Sequence, residues 1–332
     1  MNKRTVVPLL LLLFAVVVCT LWVPEFGSPT NVRNVLVQSV PLLLTSVGQT
    51  LVIITAGIDL SIGAVVTFSV VLASWLMQPE YGGIWVGVLG CVAAGLAIGV
   101  ANALMVVRLD LPPFLATLAT MFLLDGLSLT LRPVMGGSIP TEFRSVATAS
   151  LGPAPLAPVV TLAVLIALAV HLSRSRFGLR LHAVGGDERK ARLAGVSAGN
   201  VKFVVYVVAS VLASIAGLFL AARVGIGDPN VGGTYQFDSI TASVLGGTSL
   251  AGGLGTLWGA IAGALGLQII GNSLNLLGVV AYWQWILKGS LLVIAVAAYS
   301  ARRITWPTNR LRGRAPGSGL LPRPRLRMHG RD

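Results

Sequence analysis

Residues 84–107 read IWVGVLGCVAAGLAIGVANALMVV, an unbroken stretch of 24 residues without a charged side chain. A helix needs about 20 apolar residues to cross the hydrocarbon core of a bilayer. Similar stretches recur over most of the 332-residue chain, in which 55% of the residues are hydrophobic and 11% are charged. Soluble domains contain about 25% charged residues. The sequence therefore predicts an all-α polytopic membrane protein and excludes a soluble globular enzyme.

Ten apolar segments are predicted to form transmembrane helices, some of them broken or re-entrant. They cover residues 5–23, 36–55, 62–77, 84–107, 113–131, 155–173, 201–222, 238–250, 254–279 and 281–299. The first follows Lys3 and Arg4 but lacks a small-residue cleavage site, which favours an uncleaved span over a signal peptide. The eighth has only about 13 residues and is the candidate for a re-entrant segment.

The excess of positive charge, +13 at pH 7, is concentrated outside these segments. With the amino terminus inside, 19 of the 24 Lys and Arg residues fall on the inner side; the outer loops receive only Arg33, Arg132, Arg144 and Arg223. Because cytoplasmic loops carry such an excess, both termini are predicted to be cytoplasmic, and topology is favoured over nucleic-acid binding as the reason for the charge. Residues 1–301 then form a transmembrane domain. Residues 302–332, with nine Arg, are expected to form a basic, disordered cytoplasmic tail.

The strongest signal outside the membrane is a basic segment at about residues 174–200, which contains FGLRLHAVGGDERKARLAGV. Gly185 and Gly186 allow a turn, and Asp187 is a typical N-cap residue. Glu188 in the first turn and the later Arg189, Lys190 and Arg192 have charges aligned with a helix dipole. Gly195 is expected to end the helix. A helix of about two turns is not stable alone in water, so something must hold it. The residues leave two interpretations open: an ordinary basic loop, or a docking element for a cytoplasmic partner.

Polar side chains form two stripes within the apolar segments. The second segment spaces its stripe i, i+7, i+11 and the ninth i, i+4, i+7, which places each stripe on one helix face. The residues are Gln38, Thr45 and Gln49, and Gln268, Asn272 and Asn275. Such groups either form hydrogen bonds between helices or line a path for a hydroxyl-rich solute. The presence of two stripes favours the path.

Three ionisable residues lie in or beside the apolar segments: Asp59, Asp125 and Lys288. Charges inside a membrane are costly and usually face a partner or a cavity. Asp59 and Asp125 are therefore further candidates for lining a path, and a salt bridge between Asp125 and Lys288 is one pairing that the sequence allows. An ion-coupled secondary transporter that uses one of these carboxylates is an alternative function.

Catalytic and nucleotide-binding motifs are absent from the sequence. There is no G-x-x-x-x-G-K-[ST] phosphate loop, no His/Cys/Glu cluster of a metal site and no nucleophile with an attendant base. Cys19 and Cys91 lie in apolar segments and indicate no disulfide framework. The sequence predicts a transport subunit without a cofactor of its own, whose energy comes from a partner or an ion gradient.

Four segments resemble bacterial monosaccharide ABC importer permeases of the ribose, xylose, arabinose and galactofuranose type. They are AGIDLSIGAVVTFS at 56–69, PFLATLAT at 113–120, FGLRLHAVGGDERKARLAGV at 177–196, and the stretch 237–289, which begins FDSITASVLGGTSLAGGLGTLWG. Their order and spacing agree with this family over about residues 36–300. The fifth apolar segment departs from the family, whose members usually carry Arg where this chain has Asp125.

The resemblance implies that residues 1–301 are the permease domain of an ATP-driven, binding-protein-dependent importer of a simple sugar in the bacterial inner membrane. The partners that it implies are ATPase subunits that bind ATP and Mg²⁺, a second permease chain of the same or a sister type, and a periplasmic or lipid-tethered sugar-binding protein. It also implies that the ATPase is contacted through Gly185, Gly186, Asp187, Glu188, Arg189, Arg192 and Gly195. An ABC permease for branched-chain amino acids or nucleosides is the nearer alternative.

Overall fold

The computed structural model describes the backbone of residues 3–301 and the side chains of residues 6–297. The tail predicted at 302–332 lies outside the described residues. Thirteen α-helices occur within the described part: α1 (Lys3–Trp22), α2 (Pro29–Ile54), α3 (Ile62–Leu76), α4 (Gly83–Val107), α5 (Pro113–Leu131), α6 (Thr141–Thr148), α7 (Leu156–Arg174), α8 (Arg176–Gly186), α9 (Glu188–Leu193), α10 (Ala198–Val224), α11 (Gly233–Leu245), α12 (Leu257–Leu276) and α13 (Ala281–Ala301). A short 3-10 helix lies at Pro79–Tyr81, and β1 (Ser150–Leu151) pairs with β2 (Ala154–Pro155) in a small antiparallel hairpin.

Each of the ten predicted apolar segments corresponds to a helix. Six helices are long and apolar enough to cross a membrane, namely α2, α4, α5, α7, α10 and α12, whereas α3 and the described apolar parts of α1 and α13 are shorter. The short eighth segment is helix α11, which begins five residues earlier than predicted, at Gly233. Helix α6 and the hairpin were not predicted.

Helices α2 and α10 form the centre of the molecule. In the most apolar 18-residue part of α2, 89% of the residues are buried, compared with 22% in the same part of α4 and of α7. Glycines let the central helices approach: a Cβ at Gly48 of α2 would lie 3.0 Å from the Cα of Ala209 on α10, and one at Gly99 of α4 would lie 2.6 Å from the Cα of Val207. Such small-residue contacts are typical of helix packing in membranes.

The peripheral helices turn large apolar side chains outward. Trp85 and Leu89 of α4 and Phe122 and Leu123 of α5 are each at least 60% exposed. An apolar surface of this extent is unfavourable in water and suits contact with lipid. The helical architecture therefore agrees with the predicted all-α polytopic membrane protein.

Candidate functional site

The basic segment folds into two short helices separated by Asp187. Helix α8 begins after Ser175, whose hydroxyl accepts a hydrogen bond from the Gly178 amide at 3.2 Å. Helix α9 begins after Asp187, whose carboxylate accepts one from the Lys190 amide at 3.0 Å, a bond that lowers the pKa of this carboxyl. Gly195 follows α9 with a φ of +77°. The prediction of a short helix, capped by Asp187 and ended by a glycine, is confirmed.

Glu188 holds α9 against α10. One carboxylate oxygen lies 2.6 Å from Nζ of Lys202 on α10, and the other lies 2.6 Å from a guanidinium nitrogen of Arg192. Burial acts to raise the pKa of Glu188, but the hydrogen bonds from Lys202 and Arg192 outweigh it, so the pKa lies below its usual value. Ala191, three residues after Glu188, is buried on the side of α9 that bears these contacts. The contacts supply the support that so short a helix requires.

The two glycines at the end of α8 have different surroundings. Both belong to the helix, so the turn predicted at Gly185 and Gly186 is wrong, and the chain leaves the helix at Asp187. A Cβ at Gly185 would overlap the carbonyl oxygen of Ile54 and lie 2.7 Å from the amide nitrogen of Gly253, whereas a Cβ at Gly186 would meet no atom within 4 Å. Gly185 is needed because the backbones of three elements meet there. Gly186 lies on an open surface.

His182 joins α8 to the loop between α11 and α12. Its Nδ1 lies 2.8 Å from the carbonyl oxygen of Gly178, and its Nε2 lies 3.0 Å from that of Gly255. The Gly253 amide in the same loop donates a hydrogen bond of 2.9 Å to Ile54 at the end of α2. The basic segment is thus attached to α2, to α10 and to the loop before α12.

The outward side of the basic segment combines apolar and basic side chains. Leu179 and Leu193 are 75% and 83% exposed. Arg189 and Arg192 are exposed as well. Arginine side chains are enriched at protein interfaces, and exposed leucines add apolar area that a partner can cover, so this surface can form a protein contact.

The two polar stripes lie on facing sides of α2 and α12. Asn31 and Asn272 exchange two hydrogen bonds of 2.9 Å each. Gln268 donates to Gln38 at 3.5 Å. These are interhelical hydrogen bonds, one of the two interpretations that the sequence left open. Asn31 was not among the predicted stripe residues, because it precedes the segment predicted to span.

Three of the proposed pathway residues are fully buried. Thr45 donates a hydrogen bond to the Pro41 carbonyl at 2.8 Å, and Asp59 accepts two from Ser61 at 2.8 and 2.6 Å. Both amide atoms of Gln49 and the second carboxylate oxygen of Asp59 have no hydrogen-bond partner among the described residues. In this conformation these side chains lie between packed helices, so a role in a pathway requires the helices to separate.

The remaining predicted residues lie nearer the surface. Asn275 accepts a hydrogen bond of 2.7 Å from Gln284 of α13. Asp125 is half-buried on α5 and forms no ion pair with any described residue. Lys288 of α13 instead pairs with Asp238 of α11 at 2.6 Å. The salt bridge between Asp125 and Lys288, which the sequence allowed, therefore does not form in this structure.

A cavity of about 540 Å³ lies beside the Asp238–Lys288 pair, between α11 and α13. Small-molecule sites commonly measure about 300–1,000 Å³. Its wall contains an amide, two threonine side chains and two aromatic rings besides the ion pair, from Asn230, Thr234, Thr241, Phe237 and Trp285. The cavity is large enough for a small polar molecule.

Comparison with known proteins places the chain among transport proteins. A family model described as "Branched-chain amino acid transport system / permease component" matches residues 31–296. The chain is 35% identical over 292 residues to the ribose import permease protein RbsC of Bacillus subtilis. The match covers 87% of this chain and 90% of the relative. The chain belongs to this permease family. The permease is also 36% identical over 304 residues to RbsC of Escherichia coli K12 (89% and 92% covered) and 33% identical over 298 residues to the galactose/methyl galactoside import permease protein MglC of Haemophilus influenzae (84% and 89% covered). No solved structure matches the permease.

These relatives confirm the resemblance to monosaccharide import permeases that four sequence segments indicated. The permease is a multi-pass membrane transport subunit, as its relatives and its long apolar helices agree. Sequence reasoning missed one residue of interest in it, Asp238. The available signal was an acidic residue in a short, glycine-flanked apolar segment, but only the fold brings Asp238 to Lys288, 50 positions away.

Proposed function

We propose that the permease is the membrane-spanning subunit of an ATP-driven, binding-protein-dependent importer of a simple sugar. The observation that carries the proposal is the identity of 33–36% to ribose and galactose import permeases over most of the chain. A transport subunit of this kind catalyses no reaction itself. ATP and Mg²⁺ are bound by a separate ATPase, in keeping with the absence of a phosphate loop from the sequence.

The basic segment is the proposed contact with that ATPase. Gly186, Arg189 and Leu193 are exposed and available to a partner. On the inner side, Glu188 connects α9 to α10, and Gly185 packs against the end of α2. A partner that displaces α9 would therefore displace the two central helices. A rigid connection of this kind is what the conversion of ATP hydrolysis into helix movement requires.

The proposed topology has ten spans with both termini on the cytoplasmic side of the bacterial inner membrane. It places α8, α9 and the loop before α12 in the cytoplasm, where the ATPase is. Helix α6 and the β1–β2 hairpin then lie on the opposite side, where a periplasmic or lipid-tethered sugar-binding protein would deliver cargo. A second permease chain, identical or sister, completes the membrane path.

The proposed path includes the polar residues that the sequence singled out. They are Gln38, Thr45, Gln49, Asp59, Asp125, Gln268, Asn272 and Asn275. The hydrogen bonds between α2 and α12 would have to open in another state of the transport cycle for these residues to meet a solute. Their role stays a prediction.

Import of branched-chain amino acids is a second candidate, because the family description names them. The ribose and galactose permeases among the relatives favour sugar. Competition of uptake by unlabelled D-ribose, D-galactose and L-leucine separates the two. An ion-coupled transporter that uses Asp59 or Asp125 would instead lose uptake when an uncoupler is added at constant ATP.

The first experiment is purification of the tagged permease from native membranes in mild detergent. We expect an ATP-hydrolysing subunit to copurify and to be lost with Glu188→Lys or with Gly186→Trp, which enters open space. Glu142→Lys is the control, because Glu142 lies in the first turn of a short helix, α6, as Glu188 does in α9, but is exposed and on the other side of the membrane in the proposed topology. A permease that elutes alone and moves solute down an ion gradient would refute the proposal.

A further inference from the structure

The ion pair between Asp238 and Lys288 lies where charges are costly. Lys288 is the eighth residue of α13, about 10 Å along the helix axis from its first residue, within an apolar stretch that runs from Ala281 to Ala297. A membrane protein gains little from such a pair if its only task is to hold two helices, because apolar packing does so without desolvating two charges. Ionisable groups retained at such depth usually serve a pathway or a ligand.

The two helices present matching faces to the cavity. The α11 residues that line it are spaced i, i+3, i+4 and i+7, and so are those of α13, which places each set on one face. They are Thr234, Phe237, Asp238 and Thr241 on α11, and Trp285, Lys288, Gly289 and Leu292 on α13. Part of the cavity wall thus consists of charged and hydroxyl-bearing side chains, and each helix contributes one aromatic ring beside them.

Space in the cavity is left open by glycine. A Cβ added at Gly289 of α13 or at Gly233 of α11 would meet no atom within 4 Å. Phe237 and Trp285 remain 59% and 57% exposed, although both lie beside the buried side of the ion pair. Trp285 packs edge-on against Tyr282, with ring centroids 5.6 Å apart, and the exposed area of both rings is available to a ligand.

The chemistry of the wall suits a neutral molecule rich in hydroxyl groups. Oδ2 of Asp238 accepts a hydrogen bond from Lys288. Oδ1 accepts none from the described residues, so it can accept one from a ligand hydroxyl. The Lys288 ammonium has further N–H donors, and the Asn230 amide adds both a donor and an acceptor. Thr241 donates its hydroxyl hydrogen to the Phe237 carbonyl at 2.8 Å and can only accept. The aromatic rings offer apolar faces to the C–H groups of a sugar ring.

We propose that the cavity between α11 and α13 is a contact site for the transported monosaccharide. Asp238 and Lys288 form hydrogen bonds with the hydroxyl groups of the sugar, and Trp285 packs against the sugar ring. The inference rests on the proposed function and makes it more specific. It assigns cargo contact to residues outside the two polar stripes.

The test compares paired variants of the complete transporter, with its ATPase and binding protein, in membrane vesicles. Gly289→Leu fills the cavity and is expected to lower the uptake of D-ribose and D-galactose by at least about tenfold, the ratio that corresponds to one strong ligand contact. Its control, Gly271→Leu on α12, adds the same side chain at a glycine that also has open space within 4 Å. Trp285→Ala should lower uptake in the same way, whereas Trp283→Ala, a ring 64% exposed that does not line the cavity, should not.

ATP hydrolysis stimulated by the binding protein distinguishes cargo contact from assembly. We expect Gly289→Leu and Trp285→Ala to keep this activity within about twofold while uptake falls. Uptake at the wild-type rate in both variants, or equal losses in Trp283→Ala and Trp285→Ala, would overturn the cavity site and leave the proposed function intact. Absence of sugar uptake by the wild-type transporter would overturn both.

Discussion

Replacing Gly185 with alanine tests how the basic segment is joined to the rest of the permease. The new Cβ would overlap the Ile54 carbonyl oxygen and crowd the Gly253 amide, which are joined by a hydrogen bond of 2.9 Å. Overpacking costs about 1–3 kcal/mol, and a buried carbonyl that loses its partner costs about 1–3 kcal/mol. The better helix propensity of alanine returns about 1 kcal/mol. The expected net loss of stability is about 1–5 kcal/mol.

The assay is thermal unfolding of the purified permease in detergent, with Gly186→Ala as the control. Gly186 is the next residue of the same helix, and its Cβ would have open space. Each kcal/mol lowers Tm by about 2–4 °C in a domain of roughly this size. We expect a lower Tm for Gly185→Ala and an unchanged or slightly higher one for Gly186→Ala. Equal Tm values for the two variants would refute the close packing on which the argument depends.

Three further predictions concern ion pairs and hydrogen bonds. Glu188→Lys places a cation beside Lys202 and Arg192, so binding-protein-stimulated ATP hydrolysis should be lost while the amount of permease in the membrane, measured by immunoblot, stays the same. Because the pKa of Glu188 is lowered in the folded protein, the pair stabilises α9 at neutral pH and is lost as pH falls through that lowered pKa; hydrogen exchange of the α9 amides should accelerate in that acidic range and not near neutral pH. Asn31→Leu leaves Asn272 without its partner and should cost about 1–2 kcal/mol, most of which the double variant with Asn272→Leu should recover in an unfolding assay.

The positions of most long helices could be predicted because they depend on local composition. Apolar stretches with at most one charged residue locate ten helices, and Asp187 and Gly195 locate α9, since capping residues act on their immediate neighbours. Helix α11 begins before Asp238, and within its first turn Gln236 lies against Gly63 of α3, where a Cβ would be 3.1 Å from the Gln236 Cβ. Hydropathy cannot register protection that comes from another helix.

Contacts between distant residues could not be predicted. The sequence placed Gln38 and Gln268 on polar faces but could not show that the two faces meet. It allowed a pair between Lys288 and Asp125 but could not show which carboxylate Lys288 meets, because the pair with Asp238 depends on the packing of α13 on α11. Gly185 and Gly186 looked alike in sequence, although one meets backbone and the other meets open space. In each case the deciding information lies in a second element of the fold.

The hydrogen bonds between Asn31 and Asn272 also constrain how the protein is made. The two residues are 241 positions apart, an interval that a ribosome adding 5–20 residues per second covers in about 10–50 s. For most of that time α2, whose polar groups are sheltered in the finished molecule, has neither α10 nor α12 beside it. The insertion machinery or a chaperone must therefore shield α2 until the second half of the chain arrives, and a chain that stops after α7 should be degraded in place of accumulating in the membrane.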